Sequence, residues 1–230
     1  MVSVAMATYN GERYLRRQIE TVFMNLAPED ELVISDDGST DQTLSIIQSF
    51  DDARIRLFSG PQKGINANFS NAIAHCTGDY IFLCDQDDIW HPNKVQRVLE
   101  TFREQNCLLV EHDAVVADGV GNTIYPSFFD YRKVRSGFMR NIIRNTYHGC
   151  CMAFSAELKS RILPIPNGGF LHDQWIGLVA ERSGKCVFLK ELLMEYQRYE
   201  SNASSFHPHP FHIQLRNRIQ LCLNLGKRLL

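Results

Sequence analysis

No stretch of this sequence approaches the roughly 18 consecutive apolar residues that a membrane span requires, so a transmembrane helix is not expected. The first residues enter an apolar alternating segment with no charged n-region and no small-residue cleavage site, so no secretion signal is expected either. Neither sign of charge is in excess: 24 Lys and Arg face 26 Asp and Glu, a net charge of −2. A general nucleic-acid partner is thereby excluded, because it needs a basic face to displace counterions from phosphates. No C-x-x-C pair occurs, and the seven cysteines are odd in number and mostly set in apolar runs. That usage reads as buried thiols in a reducing compartment. Low-complexity and Pro/Gly-rich stretches, which would mark linkers, are missing as well.

What is present is an ordinary globular composition, 44% hydrophobic and 22% charged over 230 residues, enough for one domain with a full core. Val2 to Ala7 reads as a buried strand, and a turn at Asn10-Gly11 leads to a helical pattern carrying Tyr14, Leu15, Ile19, Val22 and Phe23. Leu32 to Ser35 repeats the strand signal before Asp36-Asp37-Gly38. Ser39 and Gln42 then have the spacing of a capping box, which predicts a helix start there. Ile55 to Phe58, Ile65 to Ala74 and Tyr80 to Cys84 continue as strand, helix and strand. This alternation predicts an α/β fold with a Rossmann-like, mostly parallel central sheet flanked by helices. Beyond residue 105 the pattern loosens, with strands expected at Leu108 to Val116 and Cys151 to Phe154 and a helix at Asp173 to Arg182.

Ligands of such sheets bind beyond the carboxyl ends of the strands, where three polar groups stand: Thr8-Tyr9-Asn10, Asp36-Asp37 and Asp85-Gln86-Asp87-Asp88. In an extended chain Asp85 and Asp87 turn the same way. Carboxylates packed so closely repel one another, and Mg²⁺ or Mn²⁺ relieves that repulsion when held by one or two of them plus substrate phosphates; a solvated acidic turn ahead of a helix is the plainer alternative. Asp37 reads either as turn chemistry or as an acceptor for a pyrimidine N3–H, with Tyr9 stacking on the base or closing the sheet's rim. Asp173 reads as a helix N-cap or as a base that takes a hydroxyl proton. The H-P-H-P-F-H run offers His207 to a metal or diphosphate, although its prolines favour an extended loop over a zinc set. Cys150-Cys151 lacks an adjacent base and reads as packing.

Taken together, A-T-Y-N-G, S-D-D-G-S-T-D and C-D-Q-D-D-I-W-H-P-N-K, in that order and spacing, resemble family 2 glycosyltransferases of the GT-A fold. H-G-C-C-M-A-F and H-D-Q-W look like the acceptor-side motifs of a bacterial branch that includes rhamnosyltransferases. The resemblance implies that Thr8, Tyr9, Asn10, Asp37 and Asp85 hold the nucleotide. It implies Asp87 and Asp88 at the metal, Asp173 as the catalytic base of an inverting reaction, and Gly149, His172 and Trp175 around donor and acceptor; where the chain departs from the family pattern, His207 at the metal and Arg198 at the donor are expected to substitute. It further implies a cytoplasmic enzyme of surface-polysaccharide assembly using Mg²⁺ or Mn²⁺ and a UDP- or dTDP-sugar, with dTDP-rhamnose the leading donor. The acceptor would be a saccharide on a lipid carrier. The chain departs from the branch pattern Y-R-x-H-x-x-N: it has Arg198 one place later and Tyr199 where the histidine is expected.

The expected organisation is a single GT-A domain over 1–230, with a nucleotide-sugar half (1–105), an acceptor half (106–205) and a tail helix (206–230). The amphipathic tail, with Arg216, Arg218, Lys227 and Arg228 among leucines and isoleucines, predicts a packed or capping helix or a peripheral membrane contact. Two rivals remain: a nucleotidyltransferase, which usually opens with a Gly-rich basic loop that Thr8-Tyr9-Asn10-Gly11 lacks, and a non-catalytic nucleotide-sugar-binding module. A dehydrogenase is disfavoured, since no G-x-G-x-x-G follows the first strand.

Overall fold

The computed structural model describes residues 1–199 and 210–229. In chain order its elements are β1 (Val2–Thr8), α1 (Leu15–Phe23), β2 (Glu31–Asp36), α2 (Thr43–Gln48), β3 (Ile55–Ser59), α3 (Ile65–His75), β4 (Tyr80–Cys84), β5 (Ile89–Trp90) and α4 (Lys94–Gln105). The second half adds β6 (Leu109–Asp118), β7 (Thr123–Tyr125), α5 (Phe128–Arg132), α6 (Phe138–Ile143), β8 (Met152–Ser155), α7 (Lys159–Ile162), α8 (His172–Ser183), β9 (Cys186–Arg198) and α9 (Phe211–Leu229).

One sheet runs through both halves in the order β3-β2-β1-β4-β8-β6-β9-β5, with β7 beside β6. Its first four strands are parallel. Successive side chains of a strand face opposite ways, and here both ways are apolar. Val4, Met6, Ile34 and Phe82 pack with Leu15, Ile19 and Val22 of α1 and Val98 of α4. Ala5, Val33, Ile81 and Leu83 pack with Phe69 and Ile73 of α3 and Trp175 and Ile176 of α8. Burial on both faces is what selects near-continuous apolar strands and a doubly covered parallel sheet.

Parallel register brings the ends of β1 and β2 level, Thr8 beside Asp36. β8 enters antiparallel to both β4 and β6, so the one-turn helix Gly149–Cys151 that precedes it arrives at the carboxyl end of β4. β9 runs parallel to β6 and finishes at that same edge. The topology therefore gathers the polar residues of five strand ends into one place, although they come from opposite ends of the chain.

Three local expectations are corrected. Ser39 does not cap α2: its hydroxyl donates to Asp36 Oδ2 at 2.6 Å and accepts from the Asn10 amide at 2.8 Å. The helix begins later, where Asp41 Oδ1 receives the Thr43 amide and hydroxyl. The strand expected from Cys151 begins one residue on, because Cys150 and Cys151 sit in the preceding turn. Asp173 is not an N-cap; Leu171 holds that position, and Asp173 lies inside the first turn of α8. The tail forms a packed helix, with Leu221 and Leu225 buried in the cluster around Trp175.

Candidate active site

A cleft of about 1710 Å³ lies over the gathered strand ends. Its size exceeds the roughly 300–1,000 Å³ of a pocket for one small molecule, leaving room for two ligands side by side. Tyr9, Asp37, Asp85, Asp87, His148, Gly149, His172, Asp173 and Arg198 all line it.

Beyond the ends of β1 and β2 the backbone is held by side chains. Thr8 donates its hydroxyl to Asp36 Oδ2 at 2.8 Å, and the same carboxylate receives the amides of Gly38 and Ser39. Thr8 lines the cleft while its hydroxyl fastens the loop. Asn10, at φ 47°, turns its amide oxygen to the Thr40 amide and also lines the cleft. Gln86 pairs with both amide and carbonyl of Tyr9, leaving the Tyr9 ring 57% exposed at the rim. Asp37 accepts the Gln62 and Gly64 amides while still lining the cleft.

The chain after β4 is a turn at Gln86-Asp87, so the extended alternation expected for Asp85 and Asp87 does not hold. The turn instead brings Asp85, Asp88 and Cys150 together, their ligand atoms all within 4.8 Å of one another. Burial pushes Asp85 up to about 7, with repulsion from Asp87 adding to it. Asp87 is pushed up to about 6 by burial, against the pull of Arg198 and Arg17. Asp88 is driven well above the carboxylate range by burial and its two acidic neighbours. Its Oδ1 accepts the Gln197 amide at 3.0 Å, and its Oδ2 is buried with no hydrogen-bond partner among the described residues. Lys94, fully buried beneath, donates to the Cys150 carbonyl at 2.8 Å and lies 3.8 Å over the Trp90 ring. Three acids crowded with an orphaned oxygen fit a hard divalent cation such as Mg²⁺ or Mn²⁺. His207 lies outside the described residues.

Asp173 also lines the cleft, and burial pushes its carboxyl up to about 6. Its Oδ1 receives both the Gln174 amide and the Asn145 side-chain amide, contacts in which Oδ2 takes no part. His172 is 4% exposed, stacks on Phe69 with ring centroids 4.0 Å apart, and has neither ring nitrogen partnered among the described residues. Burial lowers it to about 3, so the imidazole is neutral. Trp175, expected beside the ligands, is corrected to a core residue: it is fully buried and donates its indole N–H to the Ile162 carbonyl at 2.8 Å. Tyr199, in the place expected for histidine, stacks on Tyr14 at 3.8 Å and accepts from Arg17 at 2.9 Å.

The sequence profile of glycosyl transferase family 2 matches residues 3–163. The chain belongs to glycosyl transferase family 2. An uncharacterised glycosyltransferase of Nostoc is 30% identical over 173 residues, which is 71% of this chain but 53% of that protein, so the chain spans about half its length. The Escherichia coli UDP-Glc:alpha-D-GlcNAc-diphosphoundecaprenol beta-1,3-glucosyltransferase WfgD is 24% identical over 89% of this chain and 80% of its own. The structure of S. aureus TarS 1-349 in complex with UDP-GlcNAc superposes with a TM-score of 0.75 at 19% identity, covering 97% of this chain and 66% of that one. The fold is GT-A.

Within this family 2 chain, several residues in or behind the cleft carry no motif of their own: Asn145 lines it, whereas Glu111 and Arg17 act from behind the lining. Glu111 is fully buried on β6, accepts the His148 amide at 3.0 Å and keeps Oε2 unpartnered among the described residues. Glu111-His112-Asp113 inside an apolar strand was the available signal, since buried charge in a strand is rare without a task. Asn145 and Arg17 gave none, for their roles exist only in three dimensions.

The geometry yields a stability prediction. A methyl group added at Gly149 would come 2.5 Å from His172 Nε2, and the ring is pinned from behind by Phe69. Gly149→Ala is expected to cost about 1–3 kcal/mol, as overpacking does, lowering the melting temperature by about 2–4 °C per kcal/mol. An unchanged thermal denaturation curve would mean the ring has room to retreat.

Proposed function

We propose that this chain is an inverting, metal-dependent glycosyltransferase that moves a sugar from a UDP- or dTDP-sugar to a saccharide hydroxyl in surface-polysaccharide assembly. The observation that carries the reading is the opening of two separate acidic groups, Asp85 with Asp87 and Asp173, onto one cleft. Departure of a nucleoside diphosphate builds negative charge, and a divalent cation held at Asp85, Asp87 and Asp88 neutralises it when bound.

The chain's own residues supply the rest. Tyr9 stacks on the base at the rim and Asp37 accepts its N3–H. Arg198, with Arg17 beside it, takes up diphosphate charge where the family histidine is replaced by Tyr199. Asp173 accepts the proton of the attacking hydroxyl through Oδ2, since Oδ1 is already held by two donors. One such base suffices, because the leaving group needs no proton. His172, a neutral imidazole packed behind Gly149, shapes the donor and acceptor side of the same cleft.

The leading specific donor from the sequence is dTDP-rhamnose; the UDP-Glc named as donor of the E. coli relative makes a UDP-sugar the competing choice. A lipid-linked acceptor, a cytoplasmic location and a peripheral contact of α9 with a membrane belong to the same reading. Incubation with radiolabelled UDP- and dTDP-sugars and Mn²⁺ is expected to release nucleoside diphosphate slowly from one donor, with release vanishing in Asp87→Ala. Binding without turnover for every donor would sink the enzyme reading in favour of a nucleotide-sugar-binding module.

A further inference from the structure

Helix α9 packs inward through Leu221 and Leu225, yet its outward face is apolar too. Phe211, Leu215, Ile219 and Leu223 recur every fourth residue and are 75%, 47%, 54% and 63% exposed. Helix α6 lies alongside, joined where the Arg218 guanidinium donates to the Ile143 carbonyl at 2.6 and 3.0 Å. On α6, Met139 and Ile143 are exposed as well.

The charge around this apolar stripe is one-sided. Residues 131–144 and 211–229 contain nine Lys and Arg and no Asp or Glu, in a chain whose net charge is −2. Arg216 and Asn217 of α9 also line the cleft, so the basic, apolar face borders the site itself.

We infer that the outward faces of α6 and α9 form a surface that seats on an anionic lipid bilayer, with the cleft opening beside the interface. Apolar side chains on a helix lying in the interface enter the headgroup and acyl boundary, while neighbouring cations meet anionic lipid. A nucleic acid would use the cations but leave the stripe of leucine, isoleucine and phenylalanine in water. A second copy would cover the stripe only by setting nine cations against nine. The inference extends the proposed reading, in which the acceptor rides on a lipid, but its geometry is independent of any donor chemistry.

Flotation of the full chain with phosphatidylcholine vesicles, with and without phosphatidylglycerol, tests it in the absence of any nucleotide sugar. Binding is expected only to the vesicles containing phosphatidylglycerol and is expected to fall as salt is raised. Arg140→Gln with Arg144→Gln should weaken it by roughly fivefold per cation removed, and Ile219→Glu with Leu223→Glu by at least about tenfold. Both double variants should release nucleoside diphosphate from a soluble donor at the wild-type rate, which shows that they fold. If the apolar pair fails to fold, the arginine pair decides alone. Equal binding to neutral vesicles, or none to either, overturns the inference. So does self-association without lipid that Ile219→Glu abolishes, which assigns the stripe to a second copy.

Discussion

Asp173→Asn is expected to reduce sugar transfer by about 10²–10⁴-fold, the range a positioned general base contributes, while donor affinity changes little. The substitution keeps an oxygen for the Gln174 amide and the Asn145 side chain, which both meet Asp173 Oδ1, so the loop and the first turn of α8 should stay in place. Only the capacity to take a proton is removed. Burial raises this carboxyl to about 6, and the working form is the ionised one. Turnover should therefore rise with pH up to about 6 and level off above it. One unit below the midpoint about a tenth of the molecules carry the ionised form, so the rate should be about tenfold lower. Measurement of kcat against pH, with nucleotide-sugar affinity determined in parallel by calorimetry, checks both points. A variant that turns over at wild-type rate, or one that merely loses donor affinity, would remove Asp173 from the chemistry.

Asp88→Asn should act in opposite directions on stability and on metal affinity. The carboxyl is 1% exposed, its pKa is driven up by burial and by Asp87 and Asp85, and ionising it without a cation is costly. A group whose folded pKa is raised contributes stability that is complete below its unfolded value and lost as pH climbs through the folded one. The metal-free wild type should thus melt at progressively lower temperature as pH rises from the ordinary carboxylate range past about 7, where Asp85 titrates. Mn²⁺ should reverse the loss. Asp88→Asn retains an acceptor for the Gln197 amide and removes one crowded charge, so at pH 8 it should melt above the wild type in chelator. Each unit of pKa shift relieved corresponds to about 1.4 kcal/mol, and each kcal/mol to about 2–4 °C. Its Mn²⁺ affinity should fall by about 10–100-fold. Thermal denaturation with and without Mn²⁺ across pH reads both effects, and a variant destabilised in chelator would show that the acids are not in repulsion.

The parallel half was legible because burial on both faces writes near-continuous apolar strands, so β1, β2 and β4 stood out within a residue of their ends. The second half hid itself for a physical reason. β8 and β9 owe their places to antiparallel and parallel pairing with β6, a strand tens of residues away, and no local pattern encodes that partner. The site divides similarly. Asp37, Asp85 and Asp87 were readable from their position after buried strands, whereas Asp173 looked like a cap until the motif resemblance set it apart. Trp175 looked like a ligand residue but is fully buried and holds the Ile162 carbonyl, which only its hydrogen bond reveals. Asp88 was readable among the acids after β4, but its meeting with Cys150 and Lys94 was not, since they come together only after β8 inserts beside β4.

The bond from the Gln197 amide to Asp88 Oδ1 constrains any attempt to recombine this enzyme with its relatives. The acidic turn that follows β4 leans on the last residues of β9, more than a hundred positions downstream, so exchanging residues 1–105 for another member's would transplant the turn without its brace. A chimaera built to swap donor preference should carry the matching end of β9 with the turn, and one that omits it should fold yet bind added Mn²⁺ more weakly.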